Sequence, residues 1–361
     1  MRGGWTGAEV RVFIMDCGGV LGPPLIRWLL QHMDAAIVGS GSNHERLAAL
    51  LEEPRFSFYT LDGQQEPALV SSLVEHADIV VDLSPVERPL NERLTATELQ
   101  EELRVRTELV RLCSELGRRL VHVSSAEVYG NRWPTRVGSG PLTDADRQVR
   151  EDEAPLVSGP VGDEELAASH ERMTQHLIYT YGETESLDYT ILRLFDVLGD
   201  RLEMLPRADP TWPVAQVRDA IVAREARTVR LQPEDLYVRT LVYVEDAAEA
   251  VGLAIRNDQS RASGEVLNVG EPANRVSRDD LARLVLERYR EQFWDGRSPL
   301  PLIADSDVAV ADRNLHLRLP SIEKAVRLLG WRPRWSLLAA VDAALETLLA
   351  TMSSPNGSAR G

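Results

Sequence analysis

Cysteine is nearly absent: Cys17 and Cys113 are the only two in 361 residues. Two cysteines cannot build a disulfide framework, and both sit in apolar contexts, so a reducing cytoplasm is the expected compartment. Lysine is scarcer still, with Lys324 standing alone among arginines. Chemistry that needs an ε-ammonium therefore has a single position to draw on. No apolar run approaches about 18 residues, the length that spans a membrane. Asp16 interrupts the first apolar stretch, which removes a signal-peptide reading. No basic stripe offsets the acidity: 56 Asp and Glu against 40 Lys and Arg leave a formal charge of −16. Nucleic acid and membrane surfaces are thus not expected as partners. A Gly-x-Ser-x-Gly elbow, a His-Glu-x-x-His helix and any cysteine cluster are also missing, which argues against triad hydrolase and zinc chemistry; no metal is expected. His170 and His176, about 600° apart around one helix, cannot share a metal without a third element.

What is present is a long alternation of strand and helix patterns. Val10 to Met15, Ala35 to Val38, Phe56 to Tyr59, Ile79 to Leu83, Leu120 to Val123 and Tyr189 to Leu194 read as buried strands. Helical patterns run through Leu25 to Leu30, from about 43 to 52, from about 94 to 116 with Gly117 as a stop, and from 163 to 181. The leucines Leu99, Leu103, Leu109 and Leu112 recur at helical spacing on the long helix. This alternation predicts an α/β fold, a Rossmann-type doubly wound parallel sheet. Beyond about residue 195 the rhythm loosens into further helices and short strands, including Trp331 and Trp335 as packing residues. The expected division is a nucleotide-binding domain over 9–195 plus about 238–258, a discontinuous smaller C-terminal cap over 196–237 and 259–351, and tails at 1–8 and 352–361. Folds of this class bind ligands in the crevice between the layers.

Asp16-Cys17-Gly18-Gly19-Val20-Leu21-Gly22 lies between the first strand and the first helix, where a dinucleotide fold cradles a pyrophosphate. Its spacing suits Gly-x-x-Gly-x-x-Gly with Asp16 in the first glycine position. An aspartate there can take the turn, but its carboxylate opposes phosphate. The second strand runs into Gly39-Ser40-Gly41-Ser42, with no Asp or Glu for a ribose and no Arg for a 2′-phosphate. The loop reads either as a modified NAD site or as glycines kept for packing strand against helix.

Val121-His122-Val123-Ser124-Ser125-Ala126-Glu127-Val128-Tyr129-Gly130 resembles the active-site strand of the extended short-chain dehydrogenases/reductases, the NAD-dependent epimerase/dehydratase family. Asp152 to Leu156, Gly159 to Val161, Tyr181 to Glu183, Tyr189 to Phe195, Arg239 to Asp246 and Arg318 to Ile322 extend the resemblance over about residues 10–350, and they are most similar to the family's UDP-glucuronate decarboxylase and UDP-apiose/UDP-xylose synthase branch.

The resemblance implies a homodimer paired through the helices near 94–116 and 163–181, and NAD held by Asp16, Gly19, Gly22, Gly41 and Asp62. It implies a small anionic substrate held by Ser124, Arg239 and Arg318, and reacting atoms faced by Ser125, Glu127 and Arg318. It also implies a Tyr-x-x-x-Lys pair, in which the ammonium lowers the phenol pKa so that the phenolate can take a hydroxyl proton. Here the corresponding positions are Ala167 and Glu171, or Ala168 and Arg172 one residue on; neither register supplies the pair. His170 adjoins the lost tyrosine and is the candidate replacement acid/base. NAD is therefore expected to bind weakly or not at all. The expected function is an atypical, non-redox reaction on a nucleotide sugar or natural-product intermediate. The alternatives are a non-catalytic binding or scaffolding partner and, last, conventional epimerisation or decarboxylation.

Overall fold

The computed structural model describes residues 10–61, 66–84, 96–129, 148–152, 163–205, 212–231, 237–304, 316–317 and 319–353. The tails and the positions of Asp62 and Arg318 lie outside them.

The main sheet has seven strands. They are β1 (Val10–Met15), β2 (Ala35–Gly41), β3 (Phe56–Thr60), β4 (Ile79–Asp82), β5 (Arg119–Ser125), β6 (Tyr189–Leu194) and β7 (Glu265–Val269). Their spatial order is β3-β2-β1-β4-β5-β6-β7, parallel throughout. The order reverses between β1 and β4, which opens a crevice at the carboxyl ends of those strands. Six of the strands, β1 to β6, match the buried runs expected from the sequence. Glu265–Val269 does not belong with the cap, as the sequence suggested, but forms the sheet edge beside β6.

Helices cover both faces. α1 (Gly22–His32) begins with Pro23 and Pro24, residues suited to a first turn because its N–H groups have no helical partner. α2 (Glu66–His76), which the sequence reading missed, joins β3 to β4. α3 (Ala96–Glu115) ends just before Gly117, which takes φ 61° as the expected stop. α4 (Asp163–Glu185) packs against α3. The helix expected over 43–52 is only a 3₁₀ turn, Glu45–Leu47. Beyond it the chain runs through further turns, with the Leu51 N–H on the Leu47 carbonyl and the Glu53 N–H on the Leu50 carbonyl, before Pro54 and β3.

The two sheet faces have separate cores. Val12, Ile14, Ile37 and Val121 pack on one side with Leu25, Ile26 and Leu29 of α1. Phe13, Val38, Val80 and Leu120 pack on the other with Leu109 and Cys113 of α3 and Ile178 of α4. After β6 the chain builds α5 (Pro213–Ala223), α6 (Val244–Arg256), α7 (Arg278–Gln292), α8 (Glu323–Leu329) and α9 (Leu337–Ser353). α6 packs on α1 as part of the sheet's helical layer, whereas α7 packs on α5 and α9. Trp331 is buried and donates its indole N–H to the Asp246 carbonyl at 2.9 Å.

Among the described residues no helix is long and apolar enough to cross a membrane. Nor do three His, Cys, Asp or Glu side chains group there as metal ligands.

Candidate functional site

A cavity of about 890 Å³ opens where β1, β2 and β4 end. Its wall includes Asp16, Gly18 and Gly19 of the turn, Gly41 to Asn43 beyond β2, Ser84 beyond β4, and Arg106 of α3. The turn is built for close approach: a Cβ on Gly18 would strike the Asn43 carbonyl, and one on Gly22 would strike the Cys17 carbonyl. Asp16 stands at φ 57°, the left-handed region that aspartate tolerates better than most residues. The turn therefore keeps its shape without the first glycine. Beyond β2, Glu45 supplies a carboxylate and Arg46 a cation to the wall, although no Asp, Glu or Arg was read at this strand end. Both lie in the 3₁₀ turn that the sequence presented as a longer helix. Arg46 is already paired with Asp200 at 2.9 Å and with Glu203. These residues fit a dinucleotide in shape: a glycine turn opening a helix, a roomy cleft and a carboxylate beyond β2.

Across the crevice edge, over β4 and β5, the structure is closed. Side chains on a strand alternate between faces, so Leu120, His122 and Ser124 share one face of β5. The register sets Asp82 of β4 directly beside His122. α4 lies over this face, and Glu171 and Gln175, one turn apart, both point down onto it. His122 therefore bridges two carboxylates: its Nδ1 lies 2.9 Å from Asp82 and its Nε2 2.6 Å from Glu171. The other Glu171 oxygen accepts from Arg106 Nη1 at 3.2 Å, and Ser84 donates its hydroxyl to Asp82.

Asp82, His122, Glu171 and Arg106 are all buried. Burial by itself would drive His122 neutral, but Glu171 and Asp82 outweigh it and raise the imidazole to about 9. Burial likewise opposes ionisation of Glu171, yet His122, Arg106 and Ser124 bring it down to about 2. Asp82 is also held below the ordinary carboxylate range, as His122, Arg106 and Ser84 outweigh its burial. Two anions and two cations thus balance. Such a set is tolerable in a core only when each charge is paired and hydrogen-bonded.

The sequence-predicted residues occupy varied places. His170 is buried on α4, with Nδ1 2.7 Å from Arg106 Nη1. The arginine has only protons to give, so Nδ1 accepts and the ring is neutral. Burial, then the Arg106 charge, lowers His170 to about 4. Ser124 is fully buried and accepts from Gln175 Nε2 at 2.6 Å. Ser125 closes β5, its hydroxyl accepting from the Glu127 N–H at 3.3 Å. Glu127 is half-buried in the following 3₁₀ turn, Ala126–Tyr129. Arg239 bonds Asp196 at 2.9 Å and stacks over Trp212, 5.3 Å from the ring centroid. Arg172, the cation of the alternative helical register, gives Nε to the Val128 carbonyl at 2.7 Å.

The sequence reading missed a second buried array. Arg193 of β6 donates to Gln175, to Tyr179 and, at 2.9 Å, to the Tyr129 hydroxyl, which itself donates to Asn268 at 2.7 Å. Burial pushes Tyr129 up to about 12. The signal for both arrays was available as parity. Asp82, His122 and Arg193 interrupt apolar strands at positions facing the core, and Arg106 lies between Leu103 and Leu109 on the inner stripe of α3.

Residues 17–270 match the model of the NAD dependent epimerase/dehydratase family, and the chain belongs to that family. It is 28% identical over 350 residues to UDP-D-apiose/UDP-D-xylose synthase 1 of Arabidopsis thaliana, covering 90% of this chain and 88% of the relative. The enzyme of the same description from Oryza sativa subsp. japonica is 28% identical over 356 residues, 91% of this chain and 87% of the relative. Among solved structures, the PbgP3 protein from Burkholderia pseudomallei superposes with a TM-score of 0.74 at 23% identity, over 95% of this chain and 97% of that one. UDP-glucuronic acid 4-epimerase from Bacillus cereus, in complex with UDP-glucuronic acid and NAD, gives 0.70 at 19% identity, over 94% and 99%. At these identities the structural matches establish a shared fold.

Proposed function

We propose that this member of the NAD dependent epimerase/dehydratase family binds a nucleotide at its glycine turn and acts on a small anionic, nucleotide-sugar-like substrate without moving hydride. The observation that carries this reading is the position of Glu171. Where the resemblance expects the lysine of the proton-transfer pair, a carboxylate is locked between His122 and Arg106. Ala167, one turn earlier, cannot accept a proton. NAD, when bound, would supply a hydride acceptor, and a matching base must then take the substrate hydroxyl proton. The neighbouring candidates are already engaged: His170 has its Nδ1 lone pair on Arg106, and the Tyr129 hydroxyl is held by Arg193 and Asn268.

Ser125 and Glu127 are proposed to face the reacting group, with Arg239 and Arg318 as the proposed anion contacts. The Asp16 carboxylate on the cavity wall weakens the hold on a pyrophosphate, so NAD is proposed to bind loosely. The saturation of ionisable groups beneath α4 also favours a second reading, a ligand-binding family member without catalysis.

The test is nicotinamide absorbance with wild-type protein, NAD and UDP-glucuronate, beside calorimetric titration of each ligand. Binding without reduction is expected, since loss of general acid/base assistance removes a factor of about 10² to 10⁴. Turnover near about one per second, within the ordinary enzyme range, would overturn the non-redox reading. Sub-micromolar NAD affinity would overturn the loose-binding one.

A further inference from the structure

Arg106 belongs to two structures at once. It is 7% exposed and commits both Nη1 hydrogens inward, one to His170 and one to Glu171. It is also part of the cavity wall, close in sequence to Val105 and Leu109 on the same wall. Among the described residues its Nε and Nη2 groups have no partner, and neither atom is sealed from solvent. That edge of a guanidinium receives phosphate or carboxylate oxygens side-on, in two parallel hydrogen bonds.

The other cations of the wall differ. Arg46 is paired with Asp200 and Glu203, and Arg104 gives both Nε and Nη2 to Glu101. Among the described residues no ion pair braces the Arg201 guanidinium, whose Nε is buried, and of the described cations of this wall Arg106 is the one that combines a braced Nη1 with an open Nε–Nη2 edge.

We propose that Arg106 is an anion-binding residue of this cavity, its Nε–Nη2 edge taking the diphosphate of a nucleotide while His170 and Glu171 hold the guanidinium in place. The buried network thereby serves the cavity: it fixes a cation opposite a turn in which Asp16 adds a negative charge. The proposal rests on the reading that the cavity takes a nucleotide.

The experiment is calorimetric titration of ADP, NAD and UDP-glucuronate, with adenosine as the phosphate-free probe, against the wild type, Arg106→Lys and Arg104→Lys. Arg106→Lys keeps the charge and loses the paired edge. It should weaken ADP and NAD by about ten- to hundredfold and leave adenosine unchanged. Arg104→Lys, at a wall cation whose edge Glu101 already holds, should stay within about threefold of wild type for ADP. Comparison of the three ligands identifies whose diphosphate is held. Should Arg106→Lys not fold, Arg106→Met/Glu171→Met removes both charges together and is compared with Arg104→Lys; the same loss for ADP is expected. Wild-type ADP affinity in Arg106→Lys, or equal losses in Arg106→Lys and Arg104→Lys, would overturn the clamp alone. Failure of the wild type to bind any of the three nucleotides would overturn the nucleotide reading and the clamp with it.

Discussion

At the carboxyl edge of one sheet, two neighbouring regions follow opposite electrostatic plans. Around the glycine turn, Asp16, Gly18, Gly19, Glu45 and Arg46 face an open cleft. Over β4 and β5, Asp82, His122 and Glu171 are buried and face one another, and Arg106 joins them to the cavity wall. The strands supply both regions from the same layer. What separates them is where helices sit: the crevice lies at the point where strand order reverses, whereas α3 and α4 roof the adjoining strands. A charge under that roof must find its opposite within the protein, and a charge at the crevice can wait for a ligand. A family fold can thus keep its ligand cleft while the neighbouring acid/base position becomes structural.

The sharpest way to break this contrast is to change the closed side. Glu171→Lys should cost about 3–5 kcal/mol, because it sets an ammonium beside His122 and Arg106 with Asp82 as the remaining carboxylate. Denaturant unfolding would measure it, and a change below about 0.5 kcal/mol, the scale of a neutral surface substitution, would show that the network is not a charge-balanced core. For the same reason, Ala167→Tyr with Glu171→Lys should fail to recreate a proton-transfer pair unless His122 is also replaced.

A smaller effect is expected on the open side. Asp16→Gly removes a carboxylate from the cavity wall and relaxes a left-handed position, so NAD should bind about tenfold more tightly. Calorimetry showing unchanged or weaker affinity would mean that Asp16 points its charge away from the ligand.

The subtlest test is the pH profile of stability. His122 is raised to about 9, so its contribution is complete below the unfolded value near 6.5 and is lost as pH climbs through 9. His170 is lowered to about 4; its contribution is present above the unfolded value and fades as pH falls from 6.5 towards 4. Stability should therefore peak near neutrality. His122→Gln should flatten the alkaline limb and His170→Asn the acid limb in melting curves recorded across pH. A variant that keeps the limb assigned to the replaced histidine would sever that assignment.

Much of the frame was legible in the residues. Continuous apolar runs marked the first strands, Gly117 ended a helix, and the glycine turn stood where strand meets helix. The errors were local. The 43–52 segment has helical spacing but folds as a short 3₁₀ helix and further turns, and so Glu45 and Arg46 were not seen as cavity residues. Glu265–Val269 has the same apolar character as a cap strand, and only pairing with β6 assigns it to the main sheet. His170 was legible as a neighbour of the expected acid/base position, but not as a group whose lone pair Arg106 had taken.

By itself, then, the sequence determined the α/β alternation, the altered turn and the absence of tyrosine and lysine at the expected helical spacing. Periodicity assigns a side chain to a face, and it does so within one element. Tertiary structure decided the rest: Asp82 meets His122 across 40 residues, Glu171 meets His122 across 49, and Arg106 meets Glu171 across 65. Those pairings follow from strand register and from the docking of α3 and α4, which no local pattern specifies. The energetic demand that buried charges be matched then selects which of the possible partners the charges find.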